Sequence, residues 1–300
     1  MSGVRHFITG EELTREELRN LIARAGELKR GDSNSDRPLN GRTAALLFDR
    51  PSTRTRVSFE VAVNELGGDA LVLKSEELQL ARGEPVRDTA MVLSRYVQAL
   101  IARLGDHDLI EELARHANVS VINALTPRHH PCQTLADLLT LQERFGELEG
   151  LRVAYIGDGN NVCHSLMLLG ARAGVRVAVA TPPQLRPDPE LVRAAGELVE
   201  VVDDPREAAK GARALYTDVW VSMGDEAEAS ERRAQLAPFQ LNAELLSMAR
   251  DDAIVLHCLP AHIGEEITED LLYGDRSAVW DQAENRLHAQ KALLELLVDR

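Results

Sequence analysis

Short apolar runs alternate with amphipathic stretches along almost the whole chain. This alternation predicts an α/β fold of two doubly wound parallel-sheet domains joined by interdomain helices. In the first half the runs are Thr43 to Phe48, Ala70 to Leu73, Ala99 to Leu104 and Val119 to Leu125. In the second they are Leu151 to Ile156, Val175 to Ala180, Ala214 to Trp220 and Ala253 to Leu259. Between the halves, Leu135, Leu138, Leu139 and Gln142 recur at the helical period and stop near Gly146, which predicts a connecting helix. The stretch from Glu284 to Val298 is again amphipathic. The chain is therefore divided into a first domain over 1–132, a connecting helix over 133–150, a second domain over 151–283 and a final helix over 284–300 that packs back on the first.

Charge narrows the partners. The 300 residues carry 34 Lys plus Arg against 48 Asp plus Glu, a net charge of −14, which repels nucleic acid and anionic lipid. An anionic ligand must then find a local basic pocket. The three cysteines, Cys132, Cys163 and Cys258, show no CxxC spacing, so neither a disulfide framework nor a cysteine zinc site is expected, and a reducing cytoplasm is the simplest location. The opening residues lack an apolar signal core and no apolar run approaches the roughly 18 residues of a membrane span. Neither a membrane nor a nucleic acid is expected as a partner.

The run from Leu46 to Arg56 reads as a strand, a short loop and a helix start, with Ser52 at the N-cap and Gly67 ending the helix. A helix N-terminus offers unpaired backbone N–H groups and partial positive charge. Hydroxyls and the guanidinium groups of Arg54 and Arg56 placed there would make a phosphate site, though not a P-loop, since its glycines and lysine are absent. A capped helix with solvent-facing arginines is the alternative. Arg103 closes another strand, and Thr126 to Gln133 leaves a third, at the sheet edge where α/β proteins bind ligands. His130 and Gln133 can present polar groups there, or serve the loop alone.

In the second half, Gly157-Asp158-Gly159-Asn160-Asn161 follows a strand and invites a dinucleotide reading. Val162 stands where the third glycine is needed and the next strand ends without an acid for a ribose, so that reading fails in detail. Asn161 could still hold a small polar ligand. Asp218, at another strand end, suits an ammonium group, and Cys258 is either an inert core thiol or a participant in proton transfer.

Together, Ser52-Thr53-Arg54-Thr55-Arg56 with Ser58-Phe59-Glu60 and His130-Pro131-Cys132-Gln133 closely resemble the carbamoyltransferase family. Asp218 through Gly224 and His257-Cys258-Leu259-Pro260 resemble its ornithine branch. The resemblance implies two substrates, carbamoyl phosphate on the first domain and L-ornithine on the second, with no metal or organic cofactor. It implies that Ser52, Thr53, Arg54, Thr55 and Arg103 hold the phosphate, and that His130, Gln133 and Arg286 face the carbamoyl group. By the same resemblance Asn161, Asp218, Ser222 and Met223 bind ornithine, and Cys258 and Leu259 lie beside the reacting amine. It further implies homotrimers, singly or in multiples, in which a neighbouring chain's Gln79 completes each site. Arg50 stands where many relatives carry a lysine, keeping the charge but presenting a planar fork. An acceptor such as putrescine or an N-acylated ornithine, and a catalytically silent α/β binding protein, are the competing readings.

Overall fold

The computed structural model describes residues 4–32, 37–50, 52–74, 83–221 and 229–298. Among these, the chain forms two compact units, Met1–Leu135 with Asn285–Arg300, and Ala136–Glu284. The divisions fall inside two helices, Pro131–Phe145 and Val279–Val298.

In the first unit β1 (Thr43–Phe48), β2 (Asp69–Lys74), β3 (Ala99–Arg103) and β4 (Ser120–Leu125) form a parallel sheet in the order β2-β1-β3-β4. Residues 44–48 of β1 are buried without alternation, as a strand covered on both faces requires. β2 is an edge strand whose side chains remain largely accessible, Leu71 among them. In register, Phe48 lies beside both Lys74 and Arg103, and Arg103 beside Leu125, so these residues mark one carboxyl edge. The core gathers Ile8, Leu47, Leu100, Ile110, Leu113 and Val121. The end of the helix Val279–Val298 is tied to this unit. Arg24 pairs with Glu295 at 2.7 Å, Lys291 with Glu65 at 2.5 Å, and the Ser120 hydroxyl donates to the Leu297 carbonyl at 3.2 Å. Leu293 and Leu294 are fully buried there, each worth about 1.5–3 kcal/mol of transfer free energy.

The second unit holds β5 (Arg152–Ile156), β6 (Arg176–Ala180), β7 (Val199–Val202), β8 (Ala214–Thr217) and β9 (Ile254–His257), all parallel, in the order β7-β6-β5-β8-β9. Its core includes Ala154, Ile156, Leu215, Val255 and Leu271. β7 is a short edge strand that the apolar pattern missed, because Glu200 interrupts its run. β8 and β9 are shorter than their apolar runs, so Asp218 and Cys258 each stand just beyond a ladder rather than in it. There the Thr217 hydroxyl donates to the Ile156 carbonyl at 2.7 Å and the chain turns away.

Both strand orders reverse direction once, between β1 and β3 in the first unit and between β5 and β8 in the second. Such switch points open a crevice outside the carboxyl ends of the strands, the general ligand position of open α/β sheets. Gly159 shows why its loop is not a dinucleotide cradle: a Cβ there would meet Pro187 N at 2.3 Å, and its own N–H already donates to the Leu185 carbonyl at 2.9 Å.

Candidate active site

At the first switch point the chain leaves β1 and enters the helix Thr53–Glu65. Ser52 occupies the N-cap with extended backbone, but its hydroxyl makes no capping bond, which departs from the capping role that its position predicts. Thr53 and Arg54 are exposed, Ser52 is half-buried and Thr55 is buried. Arg56 turns away to Glu60, one helical turn on, at 2.9 Å. The expected second guanidinium of the helix start is therefore used in a surface ion pair.

A guanidinium from elsewhere replaces it. Arg286, 4% exposed, donates through Nη2 to the Thr55 hydroxyl at 2.7 Å. Arg103, at the end of β3, has a buried Nε with no hydrogen-bond partner among the described residues. Burial lowers its pKa to about 10, and the charges of Arg286 and Arg54 push the same way; Asp49 opposes them, and Arg50 adds a further push. Like charges brought this close favour an anion among them. His130 is buried at the start of the next loop's helix and its pKa lies well below the usual imidazole value, first through desolvation, then through Arg286 and Arg103. It is therefore neutral at pH 7, with one N–H to donate. Gln133 is buried one turn further on, and its backbone N–H donates to the His130 carbonyl at 3.1 Å. Burial pushes the Cys132 thiol up to about 12, with Arg286 opposing, so it is an inert neighbour.

At the second switch point Asp218, 7% exposed, accepts the Cys258 thiol at 2.8 Å on Oδ1 and the Asn160 amide at 2.8 Å on Oδ2. Asn161 is half-buried at the first turn of the helix Asn161–Arg172. Leu259 adopts a left-handed φ of 60°, a costly region for a branched side chain, and its N–H donates to His257 Nδ1 at 2.8 Å. His257 Nδ1 thus accepts, which leaves Nε2 to donate to the buried Glu266 carboxylate at 3.1 Å. Asp218, His257 and Cys258 each bring one potential ligand atom within 4.8 Å of the others, but the bonds just described already engage those atoms. A second group of this kind, His262 with Glu265 and Glu266, lies nearby.

Ser52, Thr53, Arg54, Thr55, Arg103, His130, Gln133 and Arg286 therefore all fall in the first unit, and Asn161, Asp218, Cys258 and Leu259 in the second. Gln79, Ser222 and Met223 lie outside the described residues. Sequence reasoning missed Asn160, Tyr155 and Glu266. The first was legible as a helix cap, whereas the other two are ordinary residues until the fold supplies their partners.

The first unit thus carries a guanidinium cluster suited to an anion at its switch point, and the second an acid–thiol pair at its own. The chain belongs to the aspartate/ornithine carbamoyltransferase family: residues 5–143 match its carbamoyl-P binding domain and residues 149–297 its Asp/Orn binding domain. Highly similar relatives within that family are named ornithine carbamoyltransferase. It is 55% identical to the ornithine carbamoyltransferase of Acidothermus cellulolyticus, over 99% of this chain and 97% of that one. Identity to the enzyme of the same name from Methanoculleus marisnigri is 53%, over 97% and 96%. Among solved structures, ornithine carbamoyltransferase from Pyrococcus furiosus superposes with a TM-score of 0.94 at 48% identity, covering 99% of this chain and 98% of that chain.

Proposed function

We propose that the chain transfers the carbamoyl group of carbamoyl phosphate to the δ-amine of L-ornithine, giving L-citrulline and phosphate. The observation that carries this reading is the crowding of Arg54, Arg103 and Arg286 beside the buried Thr55, which a phosphate dianion relieves. In this reading Ser52, Thr53, Arg54, Thr55 and Arg103 hold the phosphate at the helix start. Gln133 faces the carbamoyl amide.

Ornithine's amine must lose a proton before it attacks. With a pKa near 10.4, about one molecule in 2,500 is neutral at pH 7, a cost of about 4.6 kcal/mol. Asp218 and Cys258 guide that proton away, while Asn161, Ser222 and Met223 hold the amino-acid end of the substrate and Leu259 lies beside the amine. The nitrogen then bonds to the carbamoyl carbon. The resulting tetrahedral oxyanion receives hydrogen bonds from Arg103, Arg286, Thr55 and the neutral His130, whose single N–H needs no extra charge. The carbon–oxygen bond to phosphate breaks next, the extra proton on the attacking nitrogen passes to the departing phosphate, and the leaving charge stays with the arginines.

The same reading makes the chain a cytoplasmic homotrimer, or a multiple of trimers, of arginine metabolism. Support for assembly comes from exposed apolar side chains on the first unit, Val57, Leu71, Met91 and Val92, with Tyr96 at 74% exposure. Gln79 of a neighbouring chain would then complete each site. Mixing inactive Arg54→Ala and Gln79→Ala chains tests this: activity recovered in hybrid trimers is expected, and none after confirmed subunit exchange overturns it. The function itself is tested by measuring carbamoylation of ornithine, putrescine, N-acetylornithine and aspartate side by side. Ornithine should lead clearly, and a preference for any of the others overturns the assignment.

A further inference from the structure

We propose that Asn160 is a positioning residue for the acceptor, its side-chain amide fixing the orientation of Asp218 and setting a neutral donor against the carboxylate. The inference rests on the transfer to ornithine proposed above. Asn160 Oδ1 accepts the backbone N–H groups of Val162 and Cys163 at 3.0 and 3.2 Å and the Tyr155 hydroxyl at 3.1 Å. The two backbone groups can only donate, so this side of the amide must be oxygen, and the tyrosine hydroxyl donates to it as well. Its NH₂ is thereby turned to Asp218 Oδ2, 2.8 Å away. Cys258 Sγ donates to the other carboxylate oxygen at 2.8 Å. One side chain therefore caps the helix Asn161–Arg172 and locks the acid's plane.

Capping alone does not select asparagine, because Asp and Ser cap helices comparably well. The Asp218 contact does, since it needs a donor on the group that also supplies the cap acceptor. Tyr155 strengthens the arrangement: it is fully buried and its pKa is raised well above the ordinary value, first by burial and then by Asp218, Cys163, Cys258 and Asp158, so it remains a donor to Oδ1. Among the described residues, the ionisable groups facing Asp218 are Cys258 and His257 from the end of β9, Tyr155 from β5 and Tyr216 from β8. Asp158, in the loop that carries Asn160, is bridged by Arg232.

Asn160→Asp separates the two roles. It retains the cap, so the melting temperature should stay within a few degrees of the parent, but it sets a carboxylate against Asp218. The rising limb of kcat/KM for ornithine should move up by on the order of one pH unit or more, with at least a roughly tenfold loss at pH 7, while carbamoyl phosphate affinity is unchanged. Asn160→Ser keeps the cap on a shorter, uncharged side chain that does not extend to Asp218 and should raise the ornithine KM without moving the limb; it decides the matter should the aspartate variant not fold. A substrate-free reading comes from the pH dependence of Cys258 alkylation by iodoacetamide, whose midpoint Asn160→Asp should also shift upward. An unchanged ornithine profile or an unchanged alkylation midpoint in Asn160→Asp, or a parent-like ornithine KM in Asn160→Ser, overturns the role of Asn160. Failure of the parent chain to carbamoylate ornithine would instead overturn the function, and the alkylation test would still read the network.

Discussion

The Arg286 guanidinium donates to the Thr55 hydroxyl at 2.7 Å, joining residues 231 positions apart in the chain. The last helix thereby delivers a cation to the helix that follows β1, where Arg103 and Arg54 already stand. This accumulation of like charge opposes folding, and a bound anion would offset it.

Arg103→Met should expose that tension. Replacing a buried, charge-crowded guanidinium by an apolar chain of similar reach is expected to leave the ligand-free protein at least as stable as the parent, measured by urea unfolding in phosphate-free buffer. Inorganic phosphate should raise the parent's Tm and leave the variant's almost unmoved. A strongly destabilised ligand-free variant would contradict the account.

Arg54 is exposed at the helix start and needs no burial to hold its place. Arg54→Ala should therefore fold normally and lose kcat by on the order of 10² or more, as expected when a donor to developing charge is removed. Arg54→Lys should recover little, because the two-pronged guanidinium contact is lost. Near-normal turnover in steady-state assays of the alanine variant would remove Arg54 from the phosphate site.

His130 links stability to pH. Its folded pKa is depressed below 6.5 while the unfolded chain titrates near that value, so on acidification the unfolded state takes up a proton that the folded state refuses. Stability is thus retained above about pH 6.5 and falls below it, by up to about 1.4 kcal/mol per pH unit until the folded group also titrates. His107 and His6, likewise lowered mainly by burial, add to the same slope. In His130→Asn the dependence between pH 5 and 6.5, followed by urea unfolding, should be shallower; an identical slope would show that His130 is protonated in the folded chain.

Asp218→Asn bears on the acceptor. Both carboxylate oxygens accept hydrogen bonds, from Asn160 and Cys258, and an amide would turn an N–H against one of those donors. The expected result is a loss of ornithine kcat/KM far larger than any loss of carbamoyl phosphate affinity, together with a changed pH–rate profile between about 6 and 8.5. Equal weakening of both substrates, by kinetics and by direct binding, would argue for general disruption.

Legibility in the sequence followed the strength of local signals. β1 matches its apolar run from Thr43 to Phe48, because a strand buried on both faces has no polar positions to blur it. β7 escaped notice, since an edge strand of four residues can afford Glu200. The helix start after β1 was legible, yet of its two arginines Arg56 turned to Glu60, a choice governed by which face of the helix each occupies.

What the sequence by itself determined was the local grammar: where strands and helices begin, which loops leave strand ends, and which polar residues those loops carry. Hydrophobic periodicity and capping act over a few residues, so they can be read from neighbours in the chain. The tertiary structure alone decided which of those residues meet. Arg286 reaches Thr55 because the last helix packs on the first unit, and Asp218 takes hydrogen bonds from Asn160 and Cys258 because adjacent strands β5, β8 and β9 end at one edge of their sheet. The lowered pKa values of Arg103 and His130 belong to that level as well, since burial and neighbouring charge exist only once the chain is packed.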